Sequence, residues 1–232
     1  MQFDFVPKSL ALIPDGNRRW AKAHKISVLN GYSNGVKKFI DFSEWCSSYN
    51  IHNLTVWALS TENLKRHTTE LNALFNIYRK VCRDRSIINR LHENDAKVRI
   101  IGNADLIPKD LYASLKSIEH ETESNSKSTI NMLIGYGGAD DIISAAKKLA
   151  SKAAHGYTIN EESFRDSLIS SDVPNIDFVV RTSGEMRLSG FMPWQSGYSE
   201  LYFSKKLWPD FTKRDLYYAL ADYNRRERRF GK

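Results

Sequence analysis

Of 232 residues only two are cysteine, Cys46 and Cys82. They lie in stretches with helical patterning and match no ligand spacing, which excludes a disulfide framework and a structural zinc site and fits a reduced, cytoplasmic protein. Small buried apolar residues is the role expected of both. No apolar run is long enough to span a bilayer, and the N-terminus lacks a basic region followed by a long apolar stretch, so neither a membrane-spanning helix nor a secretory leader is expected. No Gly/Ser linker, internal repeat or low-complexity tract divides the chain. Residues 1–232 therefore read as one domain, large enough to bury a core without staples. A Ser/His/Asp or Cys/His constellation for nucleophilic catalysis is missing too.

What is present begins with charge: 34 Lys+Arg against 27 Asp+Glu, a net +7. Such a surplus suits nucleic acid, an anionic membrane face or a phosphorylated substrate, and does not choose among them. A nucleic-acid module would gather its lysines and arginines on one face. Here the lysines are scattered and the notable arginines stand beside carboxylates, so no nucleic-acid partner is expected.

Short β-rich runs recur: SLALI (9–13), NLTVWAL (53–59), KVRII (97–101), TINMLI (129–134), IDFVV (176–180) and ELYF (200–203). Helical patterns separate most of them. The clearest, over 68–94, keeps one apolar stripe through Leu71, Leu74, Phe75, Tyr78, Val81, Cys82, Ile88 and Leu91 and predicts the longest helix, with Thr68 or Thr69 capping its start. Strands that are continuous apolar runs, alternating with helices, predict an α/β fold with a mostly parallel central sheet of about six strands covered on both faces. Ligands of such sheets gather at the carboxyl ends of the strands. The polar segments PDGNRRW, STENLKR, GYGGADD and RTSGEMRLSGF fall there.

The first of these holds a contradiction. If a helix begins near Asn17, its free N–H groups and the side chains of Arg18 and Arg19 make a phosphate cradle. Asp15 would repel that phosphate unless a divalent cation lay between them, and Mg²⁺, held by few carboxylates and by substrate phosphates, is the usual one. The plainer alternative is that Asp15 caps the helix. Asparagine caps as well but is a poor magnesium ligand, so Asp15→Asn separates the two. Further along, Arg181 ends a strand, Arg187 and Ser189 follow in a loop loosened by Gly184 and Gly190, and Glu200 is a second carboxylate nearby in sequence. Two fork-shaped donors and a hydroxyl suit a second diphosphate.

PDGNRRWA, STENLKR, RTSGEMRLSGFMPWQSGYSELYF, LWPDF and the terminal RERRFG, in this order, resemble the signature regions of the cis-prenyltransferases, the undecaprenyl and dehydrodolichyl diphosphate synthase family. The resemblance implies condensation of isopentenyl diphosphate with an allylic diphosphate such as farnesyl or geranylgeranyl diphosphate, each added unit carrying a Z double bond. Asp15 would hold Mg²⁺ against the allylic diphosphate, with Gly16, Asn17, Arg18 and Arg19 around its phosphates and Trp20 beside them. Asn17 and Asn63 would position the reacting groups, and Ser60, Glu62 and Arg66 match a mobile segment at the site. Arg181, Arg187 and Ser189 would clamp isopentenyl diphosphate, Glu200 would complete the metal shell, and Arg229 with the Gly231 backbone would reach the same site, in many members from the partner subunit of a homodimer. The product would grow into an apolar tunnel between helices and sheet, with Ala58, Leu59, Ile130, Met132 and Leu133 as candidates for its wall, and would bring peripheral contact with a membrane.

The pattern is broken in two places. Val28 and Tyr32 stand where the family usually carries an arginine and a histidine near the allylic diphosphate, and NYGGR appears as GYGGA, with Gly135 and Ala139 at the changed ends. Arg18, where bacterial members usually have glycine, is the expected replacement cation. Rival readings are a non-catalytic subunit, which the retained Asp15, Asn17, Arg19, Arg181, Arg187 and Glu200 disfavour, and irregular head-to-middle coupling. An E-type synthase is rejected, because Asp140 and Asp141 lack the third aspartate of its motif.

Overall fold

The strands form where the apolar runs lie. In the computed structural model, which describes residues 3–227, they are β1 (Ser9–Ile13), β2 (Asn53–Ser60), β3 (Ala96–Ile101), β4 (Ser128–Tyr136), β5 (Phe178–Arg181) and β6 (Glu200–Phe203). All pair in parallel, in the order β3-β4-β2-β1-β5-β6. Leu10, Ala11 and Leu12 are wholly buried although they point alternately to opposite faces, as a central strand covered on both sides requires. Around the sheet run α1 (Asn17–Ala23), α2 (Val28–Ser48), α3 (Thr68–Arg83), α4 (Arg85–Glu93), α5 (Lys109–Glu121), α6 (Gly138–Ala153), α7 (Glu161–Ser167) and α8 (Lys213–Asn224).

One face of the sheet meets Phe42 and Cys46 of α2 and Leu216 and Leu220 of α8. Next to them α3 and α5 cover Val98 and Ile134 with Leu74, Tyr78 and Leu111. On the opposite face Ala11, Leu133 and Val179 pack against Val173, Phe191 and Met192. Both cysteines are buried and unpaired, as their apolar surroundings predict.

The long helix expected over 68–94 is two. Asp84 leaves the helical conformation at ψ 102°, and its carboxylate accepts from the Ser86 N–H at 3.0 Å, capping α4. The apolar stripe runs unbroken through this bend, so periodicity alone does not reveal it. Neither Thr68 nor Thr69 caps α3; the His67 ring accepts from the Thr69 N–H instead. At 21 residues, α2 is longer than α3.

Close approach of α2 to α1 depends on Gly35. A Cβ there would come within 2.1 Å of Asn17 Oδ1 and 3.2 Å of Trp208 Cδ1. Gly35→Ala is therefore expected to destabilise the fold by about 1–3 kcal/mol through overpacking, read as a lower denaturant midpoint with unchanged slope.

Candidate active site

The strand order reverses beside β1: β2, β3 and β4 lie to one side, β5 and β6 to the other. At such a switch point the loops leaving adjacent strands part and open a crevice. Ile13, the last residue of β1, is in register with Arg181, the last of β5. The loops that follow carry the first and last of the sequence motifs, and so bring Asp15 to Arg181.

Gly16 makes the turn. Its φ is +111°, and an added Cβ would press on Leu207 at about 3.0–3.2 Å, so only glycine fits without strain. It is the N-cap of α1, and no side chain caps this helix; Asp15 does not serve as a cap. The Asp15 carbonyl is instead pinned by the Thr182 hydroxyl at 2.6 Å and the Trp208 N–H at 3.1 Å. The carboxylate, 34% exposed, accepts from Arg181 Nη2 at 3.0 Å and faces Arg19 at 3.8 Å.

Two arginine groups flank it. On one side Arg181, nearly buried, donates through Nη1 to Ser189 Oγ at 2.9 Å and to the Arg187 carbonyl. Glu185 ties this group together, 3.3 Å from Arg19 and 2.6 Å from Arg187. On the other side Glu70 of α3 gathers Arg66 at 3.4 Å and Arg18 at 3.8 Å, and accepts from the Tyr32 hydroxyl at 2.6 Å. Five arginines thus share three carboxylates, and positive charge is in excess at the mouth. Asn17 Oδ1 and Arg181 Nε are buried without a hydrogen-bond partner, so two residues of the site hold polar capacity that the surrounding side chains leave unused.

Tyr32 shows how the altered pattern works. Burial, and next the hydrogen bond to Glu70, hold its phenol protonated well above the usual range. It is therefore neutral, neither an anion that would repel a phosphate nor the cation that a histidine can supply. Arg66 Nη1 donates to its hydroxyl at 2.6 Å and brings a cation beside it. Arg18, the expected replacement cation, thus stands with Arg66 around Glu70.

Ser60 stabilises the segment that carries Arg66: its hydroxyl accepts from the Asn63 N–H at 3.1 Å, at the head of a short 3₁₀ turn, Glu62–Lys65. Asp15, Gly16, Asn17, Arg18, Arg19, Ser60, Glu62, Asn63, Arg66, Arg181 and Ser189 all line one cavity of about 990 Å³. It continues between the sheet and α2, α3 and α4 along Val36, Phe39, Val56, Ala58, Val98, Ile130 and Met132. An apolar tunnel was expected here. Leu133 is not in its wall, because side chains alternate along a strand and Leu133 faces Phe191 on the other side; Leu59 is sealed in the core with Leu74 and Ile134.

Two expected site residues stand away from the cavity within this chain. Trp20 turns away from the cavity, donating to Asp210 at 2.7 Å and stacking on His24. Glu200 opens β6 and is in register with Phe178 at the start of β5, so it lies at the opposite edge of the sheet from Asp15. Its carboxylate accepts from Arg226 at 2.6 Å. The single chain does not unite the two acids. Arg187 joins the cluster through Glu185 but does not line the cavity. Arg229 and Gly231 lie outside the described residues. Sequence reasoning missed Glu70 and Glu185; the only signal for Glu185 is its place between Arg181 and Arg187, and Glu70 reads as an ordinary polar position on a helix.

The family model described as undecaprenyl diphosphate synthase matches residues 13–231. An isoprenyl transferase from Thermus thermophilus is 39% identical over 98% of this chain and 89% of its own length. A tritrans,polycis-undecaprenyl-diphosphate synthase (geranylgeranyl-diphosphate specific) from Picrophilus torridus is 40% identical over 97% and 90%. Among solved structures, lavandulyl diphosphate synthase from Lavandula x intermedia, in complex with dimethylallyl diphosphate, superposes with a TM-score of 0.92 at 35% identity, over 97% of this chain and 98% of that one.

Proposed function

This chain belongs to the undecaprenyl diphosphate synthase family, and from that membership we propose that it is a Z-type polyprenyl diphosphate synthase, adding isopentenyl diphosphate units to an allylic diphosphate with release of diphosphate. The observation that carries this reading is one carboxylate, Asp15, set between two arginine groups at the mouth of a long apolar cavity.

Like charges 4 Å apart cost about 4 kcal/mol at an effective dielectric of 20; Arg181 and Arg19 offset part of this at Asp15, and a cation between Asp15 and a diphosphate would remove the rest. Among the described residues no three acidic, His or Cys side chains converge on one point. A lone carboxylate suits Mg²⁺, which is bound through one or two carboxylates plus substrate phosphates rather than by an all-protein cage. Bound there, the ion would neutralise charge developing on the departing diphosphate. The α1 N–H groups and the Arg18, Arg19 and Arg66 side chains do the same work from the protein side, and because that charge grows as the bond breaks they stabilise the transition state more than the ground state. Arg181 and Ser189 hold the isopentenyl diphosphate on the opposite side, with Arg187 steered by Glu185. Asn17 lines the cavity beside Asp15, where it would help to position a reacting group. Apolar walls keep water from the allylic cation and take up the chain.

The length of apolar wall along the cavity supports repeated elongation over the coupling of two short allylic units. Self-pairing, with Arg229 and Gly231 reaching a neighbouring site, belongs to the same proposal and is supported by the family-like Arg-x-Gly ending of the sequence. So do a cytoplasmic location and peripheral membrane contact through the product; among the described residues no helix is long and apolar enough to cross a membrane.

Incubating the protein with labelled isopentenyl diphosphate, allylic primers of several lengths and Mg²⁺, followed by chain-length analysis, tests the reading. Labelled polyprenyl diphosphates are expected; lack of incorporation with every primer would overturn it. Arg18→Gly should weaken the allylic primer about tenfold and isopentenyl diphosphate much less, measured as separate KM values, since Arg18 stands with Glu70 and Arg66 rather than with Arg181.

A further inference from the structure

The cavity's far end is unlike its walls. It runs to the amino edge of the sheet, where Ala96 opens β3 and Ser128 opens β4, and there two full charges line it: Glu44 of α2 and Arg90 of α4. Arg90 Nε donates to Glu44 Oε1 at 2.7 Å, and its Nη2 reaches Asp41 Oδ1 at 3.3 Å. The guanidinium therefore forks across the seam between the two helices. The three side chains are 33–46% exposed, so this ion pair has the cavity on one side and solvent on the other. Hydrogen bonds to Glu44, and also to Asp41, raise the Arg90 pKa above its ordinary value, and the charge is permanent.

We propose that Arg90, forked between Glu44 and Asp41, closes the rear of the tunnel and sets the length at which elongation stops. This rests on the elongation reading above. A growing chain gains free energy from each unit only while apolar wall remains to cover it. On reaching Arg90 and Glu44 the tail would strip water from paired charges and offer them no hydrogen bond in return. Further addition then loses its driving force, and release competes. Since α2 and α4 are joined here by side chains rather than by backbone, removing the fork opens a path to solvent.

The experiment compares product distributions of wild type, Arg90→Ala and Arg90→Lys at one primer and one isopentenyl diphosphate concentration. Arg90→Ala is expected to move the dominant product upward by at least one unit, raising the ratio of longer to shorter chains by about tenfold or more. Arg90→Lys, which keeps the charge but not the two-armed fork to Glu44 and Asp41, should lengthen the products less than Arg90→Ala. A helix merely loosened by mutation would lower the total yield without lengthening the products. If Arg90→Ala fails to fold, Glu44→Gln, which weakens the fork and keeps the shape, is read in the same way and should also lengthen the products. Distributions that match wild type, or shift to shorter chains, would overturn the proposal. Wild type that incorporates no isopentenyl diphosphate would instead overturn the functional reading beneath it.

Discussion

Asp15→Asn should lower kcat by about 10³-fold, the equivalent of some 4 kcal/mol, with the melting temperature little changed. The sign carries the information. If no cation mediates, asparagine removes a repulsion and diphosphate binding tightens; if one does, asparagine removes the carboxylate that holds it and turnover collapses. Structural roles of Asp15 survive the change. Its carbonyl, not its side chain, accepts from Thr182 and Trp208, and an amide oxygen still accepts from Arg181. Nor does the side chain cap α1, where Gly16 occupies the N-cap. Steady-state kinetics with saturating primer and Mg²⁺, beside a melting curve, measure both parts.

Arg181→Lys carries the next largest effect: a fall of about 10²-fold in kcat/KM for isopentenyl diphosphate. The guanidinium is almost wholly buried and meets Asp15, Ser189 and the Arg187 carbonyl at once. Its Nε is buried without a partner. An ammonium is a point charge with no planar fork and does not span these acceptors. Affinity for the allylic primer should change only a few-fold, read from primer titrations at fixed isopentenyl diphosphate. An equal loss for both substrates would mean that Arg181 serves only to orient Asp15.

The sheet was readable because burial on both faces makes parallel strands into apolar runs, and β1 and β6 lie at their expected bounds. What escaped was set by partners distant in sequence. Glu70 matters through Tyr32, 38 residues away, and Glu185 through Arg19; neither position differs locally from a solvated glutamate. Glu200 shows the converse within one chain. Nearness along the chain suggested nearness in space, but the β5–β6 register carries it to the far edge of the sheet. At Asp84 a local cap interrupts a stripe whose apolar pattern continues. The tunnel wall was half legible: strand alternation separates Met132 from Leu133, while core and wall among same-face residues are told apart only by packing.

A cation at Asp15 is the claim on which the site stands, and it is tested most directly by calorimetric titration with an unreactive thiolo-analogue of the allylic diphosphate, with and without Mg²⁺. Wild type should bind the analogue about 10²-fold more tightly when Mg²⁺ is present, and Asp15→Asn should show no such gain. An identical gain in both proteins, or none in wild type, would contradict the account.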